Sequence, residues 1–196
     1  DLHSFPTRRS SDLRTFFLRI LEEKDAEELF RRMLYNRNHL WPWINEMECL
    51  SEKHLRLQIL SAAADYRSKQ GMETGVFQEN ELIGMISFQM LSNLESEKSG
   101  EIGYWIDRDY SGRGVMTKAL KHFINLVFDY FDVDELCIRT DIHNQKAQNL
   151  ALRAGFVKKG MKKNGARVHK NYIHVQHFKY TRKEWENDYR QDEDDH

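Results

Sequence analysis

The chain has 196 residues, 40% hydrophobic and 12% aromatic, with 30 Lys plus Arg against 31 Asp plus Glu. That length and balance describe one globular domain around one core. A net charge of -1 gives no overall basic field of the kind that drives nonspecific nucleic-acid binding, and no apolar run approaches the roughly 18 residues of a membrane-spanning helix. The two cysteines, Cys49 and Cys137, are far apart and outside any paired metal-ligand spacing. Neither a disulfide framework nor a zinc site is indicated, and a reducing cytoplasm is the expected compartment.

At the N-terminus, HSFPTRRSSDL at 3–13 has no apolar signal-peptide stretch and no amphipathic period, and it resembles the in-frame translation of a widely used sequencing adapter. Residues 1–13 are therefore set apart as an artefactual, disordered segment, 14–186 as the domain and 187–196 as an acidic tail. Residues 16–21 read as a first strand. Asp25 with Glu28 forms a capping pair for a helix whose apolar stripe is Ala26, Leu29, Phe30, Met33 and Leu34. Pro42 breaks that period within NRNHLWPWI, and Ser51 opens a second helix reaching about Lys69.

Three extended runs follow at 74–78, 82–91 and 100–107, joined by short polar stretches that favour antiparallel hairpins. From Gly114 the period becomes helical, with Met116, Leu120, Phe123, Val127 and Phe131 on one face as far as about Asp132. Residues 135–141 read as a strand reached through a helix, normally parallel to its neighbour. Residues 144–154 form a short helix stopped by Gly155. Strands at 156–161 and 168–180, with Asn164-Gly165 as the turn between them, and a short helix from Thr181 complete the order. The expected class is α/β (α+β), a mixed, mostly antiparallel sheet of about seven strands.

The chemistry is expected at YSGRGVMT, 110–117, between a strand and a long helix. Gly112 and Gly114 allow close backbone approach, and the first amides of the helix lack intrahelical partners at the positive end of its dipole. Such a loop is an anion site suited to phosphate. Its spacing is neither G-x-x-x-x-G-K-[ST] nor G-x-G-x-x-G, which argues against a triphosphatase or a dinucleotide fold.

GEIGYWI at 100–106, YSGRGVMTKAL at 110–120, NQKAQNLALRAGF at 144–156 and YIHVQHFKYTRKEW at 172–185 together resemble the RimJ/RimL-type branch of the GNAT acyltransferase superfamily, as do LRILEEKDAEELF and RNHLWPW. The resemblance runs from about Leu18 to Trp185. It implies a single GNAT-type domain with helices on both faces of the sheet and a bulge in the fourth strand, which splays from the fifth. It also implies acetyl-CoA as co-substrate, with no metal. The pyrophosphate would lie on the amides of Ser111, Gly112, Arg113, Gly114, Val115 and Met116, with Thr117 adjoining. Pantetheine would insert at the splay beside the backbone of Trp105 and Ile106, where an amide polarises the thioester carbonyl. Asn144 matches the family asparagine that contacts the cofactor, and it can equally cap its helix.

An amine attacking the thioester directly needs to be neutral and close. A lysine amine at about 10.4 needs a base more than an α-amine at about 8. Glu101, sharing a strand face with Gly103, is the expected base, with a surface carboxylate paired to a nearby Lys as the competing reading. Ala147, Ala151 and Ala166 stand where relatives carry Ser, Tyr and Glu, so no acid is visible. Ser111 and Met116 also depart from the usual residues, tolerably if the loop works through its backbone. His169, His174 and His177 show no ligand spacing.

Six cations without an acid, Lys158, Lys159, Lys162, Lys163, Arg167 and Lys170, read first as a solvated edge hairpin and second as a surface for an anionic acceptor. Trp41, Pro42 and Trp43 read as core or homodimer packing or as a wall of the acceptor site. The expected activity is acetyl-CoA-dependent N-acetylation of a protein N-terminal α-amine of ribosomal-protein type. The alternatives are a small amine, such as a polyamine, amino sugar or amino acid, or a noncatalytic CoA-binding module. No membrane and no direct nucleic-acid partner is expected.

Overall fold

The computed structural model describes residues 5–6, 16–91 and 98–194. Its strands are β1 (Phe5–Pro6), β2 (Phe16–Ile20), β3 (Gly71–Gln78), β4 (Glu81–Met90), β5 (Ser99–Ile106), β6 (Glu135–Asp141), β7 (Val157–Val168) and β8 (Asn171–Thr181). The helices are α1 (Ala26–Tyr35), α2 (Arg37–Leu40), α3 (Glu52–Arg67), α4 (Val115–Tyr130), α5 (Gln145–Arg153) and α6 (Arg182–Asp194). One sheet runs in the order β1-β2-β3-β4-β5-β6-β8-β7. Its neighbours pair antiparallel except β5 and β6, which are parallel over only three residue pairs, Ser99 with Glu135 to Glu101 with Cys137, and then part. The splay thus lies between the fourth and fifth strands counted from β2.

Strand alternation decides which helix covers which face. Val76, Ile86, Ile102, Leu136, Ile138 and Phe178 turn to α4 and α5, closing a core with Leu120, Phe123, Val127 and Ala151. Phe77, Leu82 and Met85 turn the other way, to Leu29 and Met33 of α1 and Leu55 and Ile59 of α3, with Trp105 packed against them. We call the α4/α5 side the back and the α1/α3 side the front.

Four local expectations change. Asp25 does not pair with Glu28. Its buried carboxylate accepts from the Glu22 amide (2.7 Å) and both Arg19 nitrogens (2.6 and 2.7 Å), while Glu28 accepts from the Leu82 amide on β4 (2.9 Å). Asn164-Gly165 is not the hairpin turn. Asn164 takes φ 49° inside a bulge of β7, where the register jumps from Lys162 opposite Val175 to Ala166 opposite Ile173, and the chain reverses at His169 (φ 55°) and Lys170. The reason is a local anchor, since the Asn164 amide donates to His174 Nδ1 (3.0 Å) and the strand resumes beyond it.

The bulge expected in the fourth strand is also absent, because β4 and β5 pair without a shift from Gly84–Ile106 to Met90–Gly100. Finally, the segment expected as a tail from residue 187 is helical through Asp194. Of residues 1–13 only Phe5 and Pro6 are described, paired with Leu18 and Phe17, and the remainder of that expectation lies outside the described residues.

Candidate active site

Residues 107–114 join β5 to α4, and α1 pins the start of this loop. The Asp107 carboxylate, fully buried, accepts from Arg32 Nη1 (2.9 Å), Asn36 Nδ2 (3.0 Å) and the Asp109 amide (2.8 Å), and Asn36 Oδ1 accepts from the Arg108 amide (2.9 Å). Burial pushes this carboxyl up, but the Asp109 amide, Asn36 and Arg32 outweigh it and hold the group below the usual carboxylate range. Beyond the pin, Gly112 (φ 77°) and Gly114 (φ 75°) sit in the left-handed region that side chains avoid. Gly114 is the N-cap and offers no side chain. The first bond into α4 runs from the Lys118 amide to the Gly114 carbonyl, so the amides of Val115, Met116 and Thr117 have no helical acceptor. Arg113 lies over the Tyr110 ring (5.7 Å), and Arg153 Nε donates to Thr117 Oγ1 (3.3 Å). The loop is a cradle of unpaired amides flanked by two guanidinium groups, a built anion site.

The pairing phase of β5 fixes which amides face the splay. The Asp107 amide donates to the Ile83 carbonyl and the Leu91 amide to the Ser99 carbonyl, so the odd-numbered residues of β5 turn their main chain to β4. Trp105 is among them, its carbonyl lying against Gly84. The expected edge of Trp105 and Ile106 is therefore corrected to Tyr104 and Ile106, while the Trp105 side chain packs on the front.

Tyr104 contributes something the sequence reading missed. Its hydroxyl donates to the Ala147 carbonyl of α5 (2.7 Å), spanning the splay on the back face, and burial pushes the phenol well above its usual range against the opposing charge of Arg153. A phenol thus stands beside Ala147 and the fully buried Ala151, the two positions whose small side chains had left no proton donor. The signal was available in the alternation of GEIGYWI, which sets Tyr104 on the side of Ile102 and Ile106. Asn144 caps α5, its Oδ1 accepting from the Ala147 amide (3.2 Å).

On the front, Arg139 reaches across the splay just past its last paired residues and holds Glu101 by two bonds, Nε to Oε1 (3.0 Å) and Nη2 to Oε2 (2.5 Å). Glu101 is thus ion-paired, as in the competing reading, with Arg in place of Lys. His177 stands opposite Arg139 in the β6–β8 register. Burial, then Arg139 and Lys162, hold its imidazole below the usual value against the pull of Glu101. Beside Gly103, a Cβ would come within 3.1 Å of Ser87 Oγ. Ser87 faces Glu73, whose Oε2 is buried without a hydrogen-bond partner and whose carboxyl is pushed up by burial and by Glu46 and Asp65, against the bond from Gln58. Ser87, Glu73, Gln58 and Asp65 border a cavity of about 160 Å³.

The β7–β8 tip closes the same face. His169 stacks on Trp41 (4.2 Å between ring centroids), its Nε2 meets the Trp41 carbonyl (2.7 Å), and Asn45 bonds both the His169 amide (2.6 Å) and the Arg167 carbonyl (2.9 Å). Cys137, pushed up to about 11 by burial and by Glu101, is no nucleophile, and the described residues hold no His/Cys/Asp/Glu group fit for a metal.

A glycine loop leading into α4 at the end of a strand that splays from its parallel neighbour is the frame of an acyl-CoA-type transferase. The sequence profile of the acetyltransferase (GNAT) domain matches residues 15–157, and the chain belongs to that family. It is an N-acetyltransferase by class.

Among its relatives is YdaF of Bacillus subtilis (strain 168), whose name assigns it provisionally to the ribosomal N-acetyltransferases. YdaF is 28% identical over 171 residues, covering 86% of this chain and 92% of YdaF. The ribosomal-protein-serine acetyltransferase of Escherichia coli (strain K12) is 28% identical over 163 residues, 81% of this chain and 88% of that protein. In fold, the chain superimposes on RimL, a ribosomal L7/L12 alpha-N-protein acetyltransferase solved with coenzyme A, with a TM-score of 0.80 at 21% identity, covering 90% of this chain and 98% of RimL.

Proposed function

We propose that this protein transfers acetyl from acetyl-CoA to the N-terminal α-amine of a protein, of the ribosomal-protein type modified by its named relatives. The observation that carries the reading is the three unpartnered amides of Val115, Met116 and Thr117 set at the end of β5, whose Tyr104 and Ile106 present a free main-chain edge to the splay. On this reading the pyrophosphate lies on residues 111–117 with Arg113 and Arg153 beside it, and pantetheine runs along Tyr104 and Ile106 as an added strand. Their amides supply the donor for the thioester oxygen, a term that often dominates acyl transfer. The Tyr104 hydroxyl, kept protonated by burial and now donating to the Ala147 carbonyl, is the candidate donor for the leaving thiolate.

The amine enters from the front, between Glu101–Arg139 and the arch of Trp41 and His169. An α-amine with pKa about 8 is already about a tenth neutral at pH 7, so Glu101, tied to Arg139, gives only modest help as proton acceptor. Asn144 acts here through its cap, by placing α5. Trp41 is spent on His169 within the chain, so the reading does not require a homodimer. No described helix is long and apolar enough to cross a membrane, and the two free cysteines favour the reducing cytoplasm.

The test is thiol release from acetyl-CoA across a panel of N-terminal peptides, polyamines, amino sugars and amino acids, with products resolved by mass. Turnover with peptides alone supports the reading. Turnover confined to small amines replaces the acceptor, and acetyl-CoA binding without turnover points to a noncatalytic module.

A further inference from the structure

The β7–β8 hairpin is more than a protected edge. Lys158, Lys159, Lys162, Lys163, Arg167 and Lys170 are all exposed, and among the described residues none of the six has an ion-pair partner. On the neighbouring strands β6 and β8, Arg139 and Lys179 are each matched to a carboxylate. One or two lysines suffice to keep an edge strand from pairing. Six unmatched cations on one hairpin repel one another, and that cost is recovered when an anionic partner covers them.

The strip is also fixed and aimed. Its tip is clasped by Trp41 and Asn45, so the cations sit on a platform that needs no ordering when a partner arrives. Its near end reaches the acceptor side of the splay, since Lys162 is close enough to bear on the His177 imidazole, His177 faces Arg139, and Arg139 spans the splay to Glu101. Across the front, Glu73, opposite Ser87 in the β3–β4 register, has the carboxylates of Glu46 and Asp65 acting on it. The hairpin is therefore positive where the chain behind the amine would run.

We propose that the β7–β8 hairpin binds an acidic segment of the acceptor polypeptide, a few residues behind the amine that is acetylated. This rests on the reading of the site as one for protein N-termini. The register follows from strand geometry. From β6 across β8 to β7 is about 10 Å at ~4.8 Å per strand, and an extended peptide advances about 3.3 Å per residue. Acidic side chains at about the third to sixth position should meet Lys162, Lys163 and Lys159.

The test measures binding separately from turnover. Fluorescent peptides of equal length, carrying four acidic residues at positions three to six, at positions 12 to 15, or four lysines at three to six, are titrated by anisotropy into the full chain with CoA present. An RNA oligomer of matched charge is titrated alongside. The proposal expects the first peptide to bind about tenfold tighter than the other two at low salt, an advantage that fades at high salt. It also expects Lys159→Glu with Lys163→Glu to reverse the preference toward the lysine peptide while acetyl-CoA affinity, the check on folding, stays unchanged. Equal affinity for all three peptides, or RNA binding tighter than any of them, overturns it. If the acidic peptide binds as expected but no peptide is acetylated, the docking surface stands and the acetyl-transfer reading of the site fails.

Discussion

On the proposed donor side, residues 107–117 would act through consecutive main-chain amides, and one network, Arg32–Asn36–Asp107, holds the start of that loop. On the proposed acceptor side, the chemistry would come from side chains brought together by topology: Glu73 on β3, Glu101 on β5, Arg139 on β6, His177 on β8 and the lysines of β7. The difference teaches where substitution is tolerated. A cradle of amides accepts Ser111 and Met116 without losing its donors, provided that Gly112 and Gly114 keep their left-handed backbone and Asp107 keeps its partners. A cleft of side chains is more sensitive to exchange, since its charge rests on single groups such as the Glu101–Arg139 pair and the unmatched hairpin lysines.

If the donor side depends on its pin, Asp107→Ala should have the largest effect. It leaves Arg32 without its buried counter-charge and frees the Asn36 and Asp109 donors, with an expected loss of about 3 kcal/mol of stability in urea unfolding. An unchanged midpoint would mean that the network does not hold the loop. Next, Gly114→Val should leave the fold in place but weaken acetyl-CoA. A β-branched residue at φ 75° costs about 1–2 kcal/mol, roughly 5- to 30-fold in the dissociation constant by calorimetry.

Tyr104→Phe sharpens the boundary between the two sides. It should lower kcat about tenfold with little change in the KM for acetyl-CoA. The loss should grow when the acyl donor carries a thiol of higher pKa, a dependence that a purely structural tyrosine would not produce.

The smallest effects belong to the acceptor side. Glu101→Gln should reduce turnover of an α-amine by only about threefold, and by more for a lysine amine. Stability should also carry a histidine signature. His39, His122 and His177 are all held below their usual value by burial first, so the unfolded chain binds more protons than the folded one as pH falls below about 6.5. Stability is complete above that pH and is lost on further acidification. A melting temperature flat from pH 7 to 5 would contradict this.

These contrasts also explain what could be read from the sequence. The glycine loop, the long α4 stripe and the succession of elements along the chain were legible because each depends on neighbours close in sequence, and the splay followed from the family resemblance those segments carry. The phase of β5 was not, since it depends on which strand Trp105 bonds, and a shift of one residue exchanged Trp105 for Tyr104 at the edge. Asn164-Gly165 has the composition of a turn, but the His174 ring absorbs it as a bulge and the turn moves to His169. The Glu101–Arg139 pair joins residues 38 apart on strands that are diverging, and no local pattern marks it. Asp107 looks in sequence like an ordinary loop carboxylate, and only the arrival of α1 makes it the pin.

The central claim, that an acyl-CoA cradle and a peptide cleft meet at the β5–β6 splay, is tested most directly by mass-resolved turnover of acetyl-CoA with a panel of N-terminal peptides and small amines. The account predicts acetylation at the α-amine of peptides, with a single acetyl added and one free thiol released per product. Acetylation confined to small amines or to lysine side chains, or no thiol release despite saturable acetyl-CoA binding, would contradict it.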